Sequence, residues 1–163
     1  MVPDLSPAPI RIVVAGAGAF GREHLDRLTV RRDVQVTGIA DPSAEALASA
    51  QQRYGIDHCV PDARQLLQQN GFDAIIVATP AASHVDLTLQ ALERNICVLL
   101  EKPVAPSAEL AARLAGAARA AGAFVLPGHV LRFSRDHARL VEIVRSGRIG
   151  RVLYASSRRY RDD

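Results

Sequence analysis

The chain has 163 residues, of which 48% are hydrophobic and 23% charged, and 20 Lys and Arg against 17 Asp and Glu give a net charge of +3. This ordinary globular composition excludes a disordered, acidic or low-complexity protein and indicates about one domain with a sizeable core. No apolar run predicts a membrane span, and the N-terminus does not resemble a secretory signal. We therefore expect a cytoplasmic protein without a membrane segment. Its two cysteines, Cys59 and Cys97, should be reduced and buried, with no disulfide or metal.

Strand-like and helix-like segments alternate along the chain from Ile10 onward. Strands are predicted at residues 10–15, 34–40, 74–78, 96–100 and 123–126, and helices at 20–30, 43–54, 63–69, 83–95, 107–121 and 132–146. Alternation of this kind predicts an α/β fold with a doubly wound parallel sheet and helices on both faces. A last strand, Arg151–Tyr160, is predicted without an evident partner, so it resembles the first strand of a second domain that is missing.

A glycine-rich turn follows the first predicted strand. Gly16, Gly18 and Gly21 form the pattern G-x-G-x-x-G between a buried strand and a helix, which is the context of a Rossmann-type dinucleotide site. Gly16 would allow the tight turn, Gly18 the close approach of a pyrophosphate, and Gly21 the packing of the helix. The helix N-terminus, including Ala19 and Phe20, would face the phosphates. A purely structural turn is the alternative.

Asp41 ends the second predicted strand, about 20 residues past the last glycine of the turn. Its carboxylate would accept hydrogen bonds from the ribose hydroxyls of the adenosine and would repel a 2′-phosphate. Residues 42–47 contain no arginine to accommodate that phosphate, so NAD is favoured over NADP. Arg53 or a neighbouring loop could reverse this preference, and Asp41 could instead only cap the next helix.

Two further segments follow the third and fourth long strands. Thr79 and Pro80 come first, with His84 in the first turn of the next helix. Because ligands bind outside the carboxyl ends of parallel strands, this segment belongs to the cofactor side, although a partly buried His84 at a helix start is an equal alternative. Glu101 and Lys102 come next, and Lys102 is the only lysine of the chain. Its ammonium could bind a substrate hydroxyl, stabilise an alkoxide or assist deprotonation.

These motifs together closely resemble the glucose–fructose oxidoreductase / inositol dehydrogenase / rhizopine-catabolism family (Gfo/Idh/MocA). The resemblance rests on the segments 16–21, 40–42, 78–84 and 101–103, followed by 128–133 and 146–150. It implies a nucleotide-binding half followed by an α/β half with a large antiparallel sheet. It also implies hydride exchange between a nicotinamide dinucleotide and a hydroxyl carbon of a sugar, cyclitol or nucleotide sugar.

The resemblance also implies roles for individual residues. Lys102 would be the catalytic lysine beside nicotinamide and substrate, and Glu101 would contact the nicotinamide end of the cofactor. Arg132 would lie near the junction of cofactor and substrate, unless it is only one more arginine of an arginine-rich C-terminal segment. The Asp and His that the second half of such proteins usually supplies have no match here, because Asp136 and His137 are adjacent in another helix.

We therefore assign residues 1–127 to a NAD(P)-binding domain and 128–163 to a connecting helix and the start of a shortened substrate domain. Such a chain would bind NAD(H) and turn over little or nothing without its second half. The alternative is a non-catalytic module that binds a dinucleotide as a redox sensor. No metal site, membrane contact or nucleic-acid partner is expected. A homo-oligomer is expected, through pairing of the exposed strand edge at residues 151–160.

Overall fold

The computed structural model describes residues 8–158, which fall into two compact units divided between Gly128 and His129. The first unit is a parallel sheet with helices on both faces, as the alternating segments predicted. Its strands are β1 (Ile10–Ala15), β2 (Val34–Ala40), β3 (Cys59–Val60), β4 (Ala74–Val77), β5 (Cys97–Leu100) and β6 (Val125–Pro127). Its helices are α1 (Ala19–Leu28), α2 (Ala44–Tyr54), α3 (Ala63–Leu67), α4 (His84–Glu93) and α5 (Ala108–Ala121).

The strand order is β3-β2-β1-β4-β5-β6, and every pairing is parallel. The chain therefore winds outward from β1 in one direction and from β4 in the other. This reversal creates a switch point between the carboxyl ends of β1 and β4, which is where open α/β sheets bind ligands.

The core consists of two apolar layers, one on each face of the sheet. Val14 and Ile39 pack with Leu25 of α1 on one face. Val13 and Ile75 pack with helices α3, α4 and α5 on the other. Neighbouring residues of β1 thus point to opposite faces, and both are buried, which explains the continuous apolar run of this strand.

Serine and glycine residues mark the two ends of helices α2 and α5, close to the bounds that the sequence predicts. Ser43 accepts a hydrogen bond from the backbone N–H of Ala46 before α2, and Ser107 does the same for Leu110 before α5. Gly55 and Gly122 end these two helices in the left-handed conformation, which carries no Cβ penalty in glycine.

The second unit contains a 3-10 turn at Val130–Phe133 and helix α6 (Arg135–Arg145). The predicted helix at 132–146 is therefore a turn followed by a shorter helix. The predicted strand at 151–160 does not form over residues 151–158, and residues 159 and 160 lie outside the described part of the chain. A strand needs a neighbour for its backbone N–H and C=O groups, and residues 152–158 pair with no strand of the described chain.

Two smaller expectations also need correction. Strand β3 was not predicted, because two residues are too few to show a period. Cys59 and Cys97 form no disulfide in the described structure, and both are only partly buried, whereas full burial was expected. Burial still raises the pKa of the Cys59 thiol, with a further contribution from the charge of Asp57. No helix within residues 8–158 combines the length and apolar character needed to cross a membrane.

Candidate cofactor site

The segments singled out in the first unit all follow carboxyl ends of strands at or beside the switch point. The glycine turn follows β1, Asp41 follows β2, Thr79 and Pro80 follow β4, and Glu101 and Lys102 follow β5. Parallel pairing therefore brings these segments to one edge of the sheet, although they are far apart in sequence.

The three glycines of the turn have different surroundings. Gly16 has a φ of +99°, and a Cβ there would lie 2.5 Å from the carbonyl oxygen of Ala78. A Cβ at Gly21 would lie 1.8 Å from the carbonyl oxygen of Gly16. By contrast, apart from Gly18 itself and its two chain neighbours, no described atom lies within 4 Å of a Cβ built on Gly18. Gly16 and Gly21 are thus required by packing, whereas Gly18 borders open space.

Helix α1 begins beside this open space without a capping side chain. Its N-cap residue is Gly18, and its first turn holds no acidic residue in the described structure. Gly18, Ala19 and Phe20 are all exposed. The free N–H groups and the positive end of the helix dipole can therefore receive an anion such as a pyrophosphate.

The carboxylate of Asp41 accepts hydrogen bonds both from the glycine turn and from the segment before α2. Its Oδ2 accepts a hydrogen bond from Ala17 N–H at 2.7 Å, and its Oδ1 accepts one from Ser43 N–H at 2.8 Å. A carboxylate has about four acceptor positions, so these two bonds leave capacity for ribose hydroxyls. The helix-start role and the ribose-binding role are therefore compatible.

His84 is buried between two loops of the site and is 1% exposed. Its Nε2 lies 2.8 Å from the carbonyl oxygen of Thr79, and its Nδ1 lies 2.8 Å from that of Pro103. Both ring nitrogens are therefore engaged by backbone, which favours a buried structural histidine over direct contact with a ligand. Thr79 and Pro80 remain partly or fully exposed, and Thr79 Oγ1 accepts a hydrogen bond from the Ser83 hydroxyl at 2.7 Å.

The side chain of Glu101 is buried, whereas that of Lys102 is exposed. Glu101 is 6% exposed, with Oε1 2.9 Å from Nε2 of His24 and Oε2 accepting the Lys102 N–H at 3.2 Å. Lys102 is exposed, and its Nζ lies 4.5 Å from the ring centroid of Phe20. The role of His24 was missed from sequence. The available signal was its spacing of four from Phe20, which puts both on one face of α1.

Arg132 belongs to the second unit, where it is exposed in the 3-10 turn. It is the one predicted site residue outside the first unit. Within residues 8–158, no three or more His, Cys, Asp or Glu side chains are grouped so as to hold a metal ion.

Comparisons with known proteins agree with this architecture. The model of the Gfo/Idh/MocA oxidoreductase family, described as an NAD-binding Rossmann fold, matches residues 10–129. The chain belongs to this oxidoreductase family. The matched residues form the NAD-binding domain of the family and include every predicted site residue except Arg132.

Individual members of the Gfo/Idh/MocA family match most of this chain. It is 33% identical over 153 residues to inositol 2-dehydrogenase 4 of Saccharopolyspora erythraea, covering 91% of the chain and 45% of that protein. It is 31% identical over 146 residues to an inositol 2-dehydrogenase of an Arthrobacter species, covering 88% of the chain and 43% of that protein. The chain thus spans less than half the length of these curated relatives.

A solved structure of the same family supports the fold. The crystal structure of myo-inositol 2-dehydrogenase from Lactobacillus plantarum superposes with a TM-score of 0.83 at 21% identity, over 90% of this chain and 44% of that one. The switch-point edge described above also fits the NAD of the family. It combines open space at Gly18, an uncapped helix N-terminus and a carboxylate with spare acceptor capacity.

Proposed function

We propose that this chain is the cofactor-binding part of an oxidoreductase that exchanges a hydride between NAD(H) and a hydroxyl carbon of a polyhydroxylated substrate. The observation that carries the proposal is the space beside Gly18 at the open N-terminus of α1, with Asp41 adjoining it. A sugar, a cyclitol or a nucleotide sugar is the proposed substrate class. The inositol 2-dehydrogenases among the relatives support a cyclitol.

We assign the binding roles according to what each residue offers at the sheet edge. The N–H groups of Gly18, Ala19 and Phe20 would hold the pyrophosphate, with Gly16 and Gly21 shaping the turn. Asp41 would accept from the ribose hydroxyls, and its negative charge supports a preference for NAD over NADP. Thr79 and Pro80 would border the dinucleotide, and His84 would hold their loop in place through its two backbone contacts.

Lys102 is the proposed catalytic residue. Bound NAD would supply the hydride acceptor. A side chain of the protein would then have to assist removal of the proton from the substrate hydroxyl. Lys102 carries three N–H donors at the end of β5, and no carboxylate within residues 8–158 pairs with it. Its ammonium can therefore donate to the substrate oxygen and stabilise negative charge that develops there. Glu101 would line the part of the site that holds the nicotinamide end of the cofactor. Arg132 would lie near the junction of cofactor and substrate.

We further propose a reducing, cytoplasmic setting and a homo-oligomeric state. The two unpaired cysteines support the first, because thiols persist in reducing compartments. The exposed apolar side chains of the second unit support the homo-oligomeric state, because their burial between copies of the chain would be favourable.

The glycine turn offers a sharp test, because two Gly→Ala changes should separate binding from folding. Gly18 has a φ of −69° and open space around it, so Gly18→Ala should fold normally. The added methyl group should obstruct the phosphates and weaken NADH binding by roughly tenfold or more, about 1.4 kcal/mol. Calorimetric titration with NADH and NADPH measures this, and thermal unfolding checks the fold.

Gly21→Ala is the matched variant. Its methyl group would collide with the Gly16 carbonyl, so it should lower the melting temperature clearly. Wild-type chain that binds neither NADH nor NADPH would overturn the proposed function. Equal NADH affinity of the wild type and Gly18→Ala would show that the glycine turn does not contact the bound nucleotide.

A further inference from the structure

Helix α1 presents two side chains, one turn apart, to the segment that follows β5. Phe20 and His24 are four residues apart and therefore lie on the same face of the helix. Phe20 contacts Lys102, and His24 contacts Glu101. Two consecutive residues at the end of β5 are thus each held by a residue of α1.

The first contact involves the ammonium of Lys102 and the face of an aromatic ring. Nζ lies 4.5 Å from the Phe20 ring centroid, within the range of a cation–π interaction. Phe20 is 49% exposed, an unusual position for a phenylalanine on a helix whose buried face is supplied by Leu25. A lysine side chain has many rotamers, so a ring at this place restricts where the ammonium can be.

The second contact fixes the neighbouring carboxylate. Glu101 is almost fully buried, and His24 Nε2 lies 2.9 Å from its Oε1. Gly128 leaves room for the Glu101 carboxyl group, because a Cβ at this position would lie 3.1 Å from that group, which is a tight contact. With Oε2 also bonded to the Lys102 N–H, the side chain of Glu101 is tied both to α1 and to the backbone of Lys102.

We propose that Phe20 and His24 are positioning residues that set the place of the Lys102 ammonium. Phe20 acts on the ammonium directly, and His24 acts through Glu101 on the backbone from which Lys102 extends. The purpose of this arrangement rests on the proposed function. Because the N-terminus of the same helix faces the phosphate site, one rigid element then aligns the dinucleotide and the lysine.

The single lysine of the chain makes the test direct. Labelling the protein with [ε-13C]lysine gives one carbon–proton signal, from Lys102, without any chemical modification. In the cofactor-free wild type, the ring of Phe20 should shift the ε-proton signal upfield. Phe20→Leu should move that signal toward the value of a lysine in a short peptide, and Phe20→Tyr should retain the upfield shift.

Phe124→Leu is the control, because it removes another exposed phenylalanine of the same unit. Its Lys102 signal should match that of the wild type. Identical Lys102 signals in the wild type and a folded Phe20→Leu variant would overturn the proposal. Circular dichroism and the melting temperature establish that each variant is folded.

The His24 contact is tested with the same signal. His24→Leu removes the donor to Glu101 and should shift the Lys102 signal, whereas His24→Gln keeps a donor and should restore most of the wild-type position. An unchanged signal in a folded His24→Leu variant would overturn the role of His24.

Titration of the labelled wild type with NADH separates this inference from the proposed function. A Phe20-dependent signal without NADH binding would uphold the contact and contradict the proposed function. NADH binding without a Phe20-dependent signal would support the proposed function and contradict the contact between Phe20 and Lys102.

Discussion

Asp41 illustrates how one residue of this chain serves both the fold and the site. Its two carboxylate oxygens bond the backbone of the glycine turn and of the segment before α2, and the group is only partly buried. A hydrogen bond to a charged group contributes about 1.5–3 kcal/mol. The same carboxylate can therefore order the turn before binding and accept the ribose hydroxyls afterwards.

Asp41→Asn should weaken NADH binding by roughly tenfold to a hundredfold, because it removes a charged acceptor from the ribose. NADPH binding should fall less than NADH binding, because the repulsion of the 2′-phosphate is removed while the loss of a backbone acceptor affects both nucleotides. Calorimetric titration with both nucleotides measures the two effects. Asp57→Asn, at an exposed position before β3, should change neither affinity. Unaltered NADH affinity in Asp41→Asn would show that this residue does not bind the cofactor.

At the scale of the elements, exposed ion pairs join parts of the first unit that are distant in sequence. Arg64 of α3 donates to Asp86 of α4 at 2.8 Å, and Arg11 of β1 pairs with Asp73 before β4 at 3.0 Å. The hydrogen bond from Arg64 lowers the pKa of Asp86, with Gln90 contributing, and that from Arg11 lowers the pKa of Asp73. These carboxylates hold protons more weakly in the folded chain than in the unfolded chain.

The stability of the chain should therefore fall on acidification. A carboxylate whose pKa is lowered by folding stabilises the native state above its unfolded pKa, and that contribution is lost as pH falls through the folded pKa. The melting temperature of the wild type should start to decline below about pH 5 and should fall further below about pH 4, where these carboxylates become protonated. Asp86→Asn should show a smaller decline and a lower melting temperature at neutral pH. A pH dependence as steep as that of the wild type would show that the Arg64–Asp86 pair contributes nothing measurable.

The whole molecule consists of one unit with two buried layers and a second unit with little apolar burial. In the second unit, no residue of helix α6 is buried, and Phe133, Leu153 and Tyr154 are 76%, 82% and 84% exposed. Exposed apolar side chains lose contact with water when they pack against another protein surface, which favours association. Because residues 151–158 form no strand, we attribute the expected self-association to burial of these apolar side chains rather than to edge pairing.

We expect the chain to self-associate as its concentration rises, and light scattering across a concentration series would detect this. Leu153→Ser combined with Tyr154→Ser should lower the apparent mass at a given concentration. Val30→Ser, which changes an isolated residue of the first unit that is 79% exposed, should have no such effect. A monodisperse monomer at all concentrations would contradict the expectation.

Local patterns were sufficient to predict most of the first unit. The β-branched run of β1, the serine caps of α2 and α5 and the glycines after them depend on neighbours within a few residues, so they can be recognised in the chain alone. The glycine turn, Asp41 and the Glu101–Lys102 segment were likewise visible, because each stands at a predicted strand end. Parallel strands then require these ends to share an edge.

Long-range contacts account for what the sequence did not reveal. The sequence does not distinguish the two possible roles of His84, because the carbonyl groups that contact its two nitrogens belong to Thr79 and Pro103 on separate loops. The sequence does not reveal the contact between His24 and Glu101, because the two residues are 77 positions apart. The segment 151–158 has an alternating pattern but pairs with no strand of the described chain. Periodicity reports which face of an element is apolar, whereas the partner of each polar group depends on packing between elements that are distant in sequence.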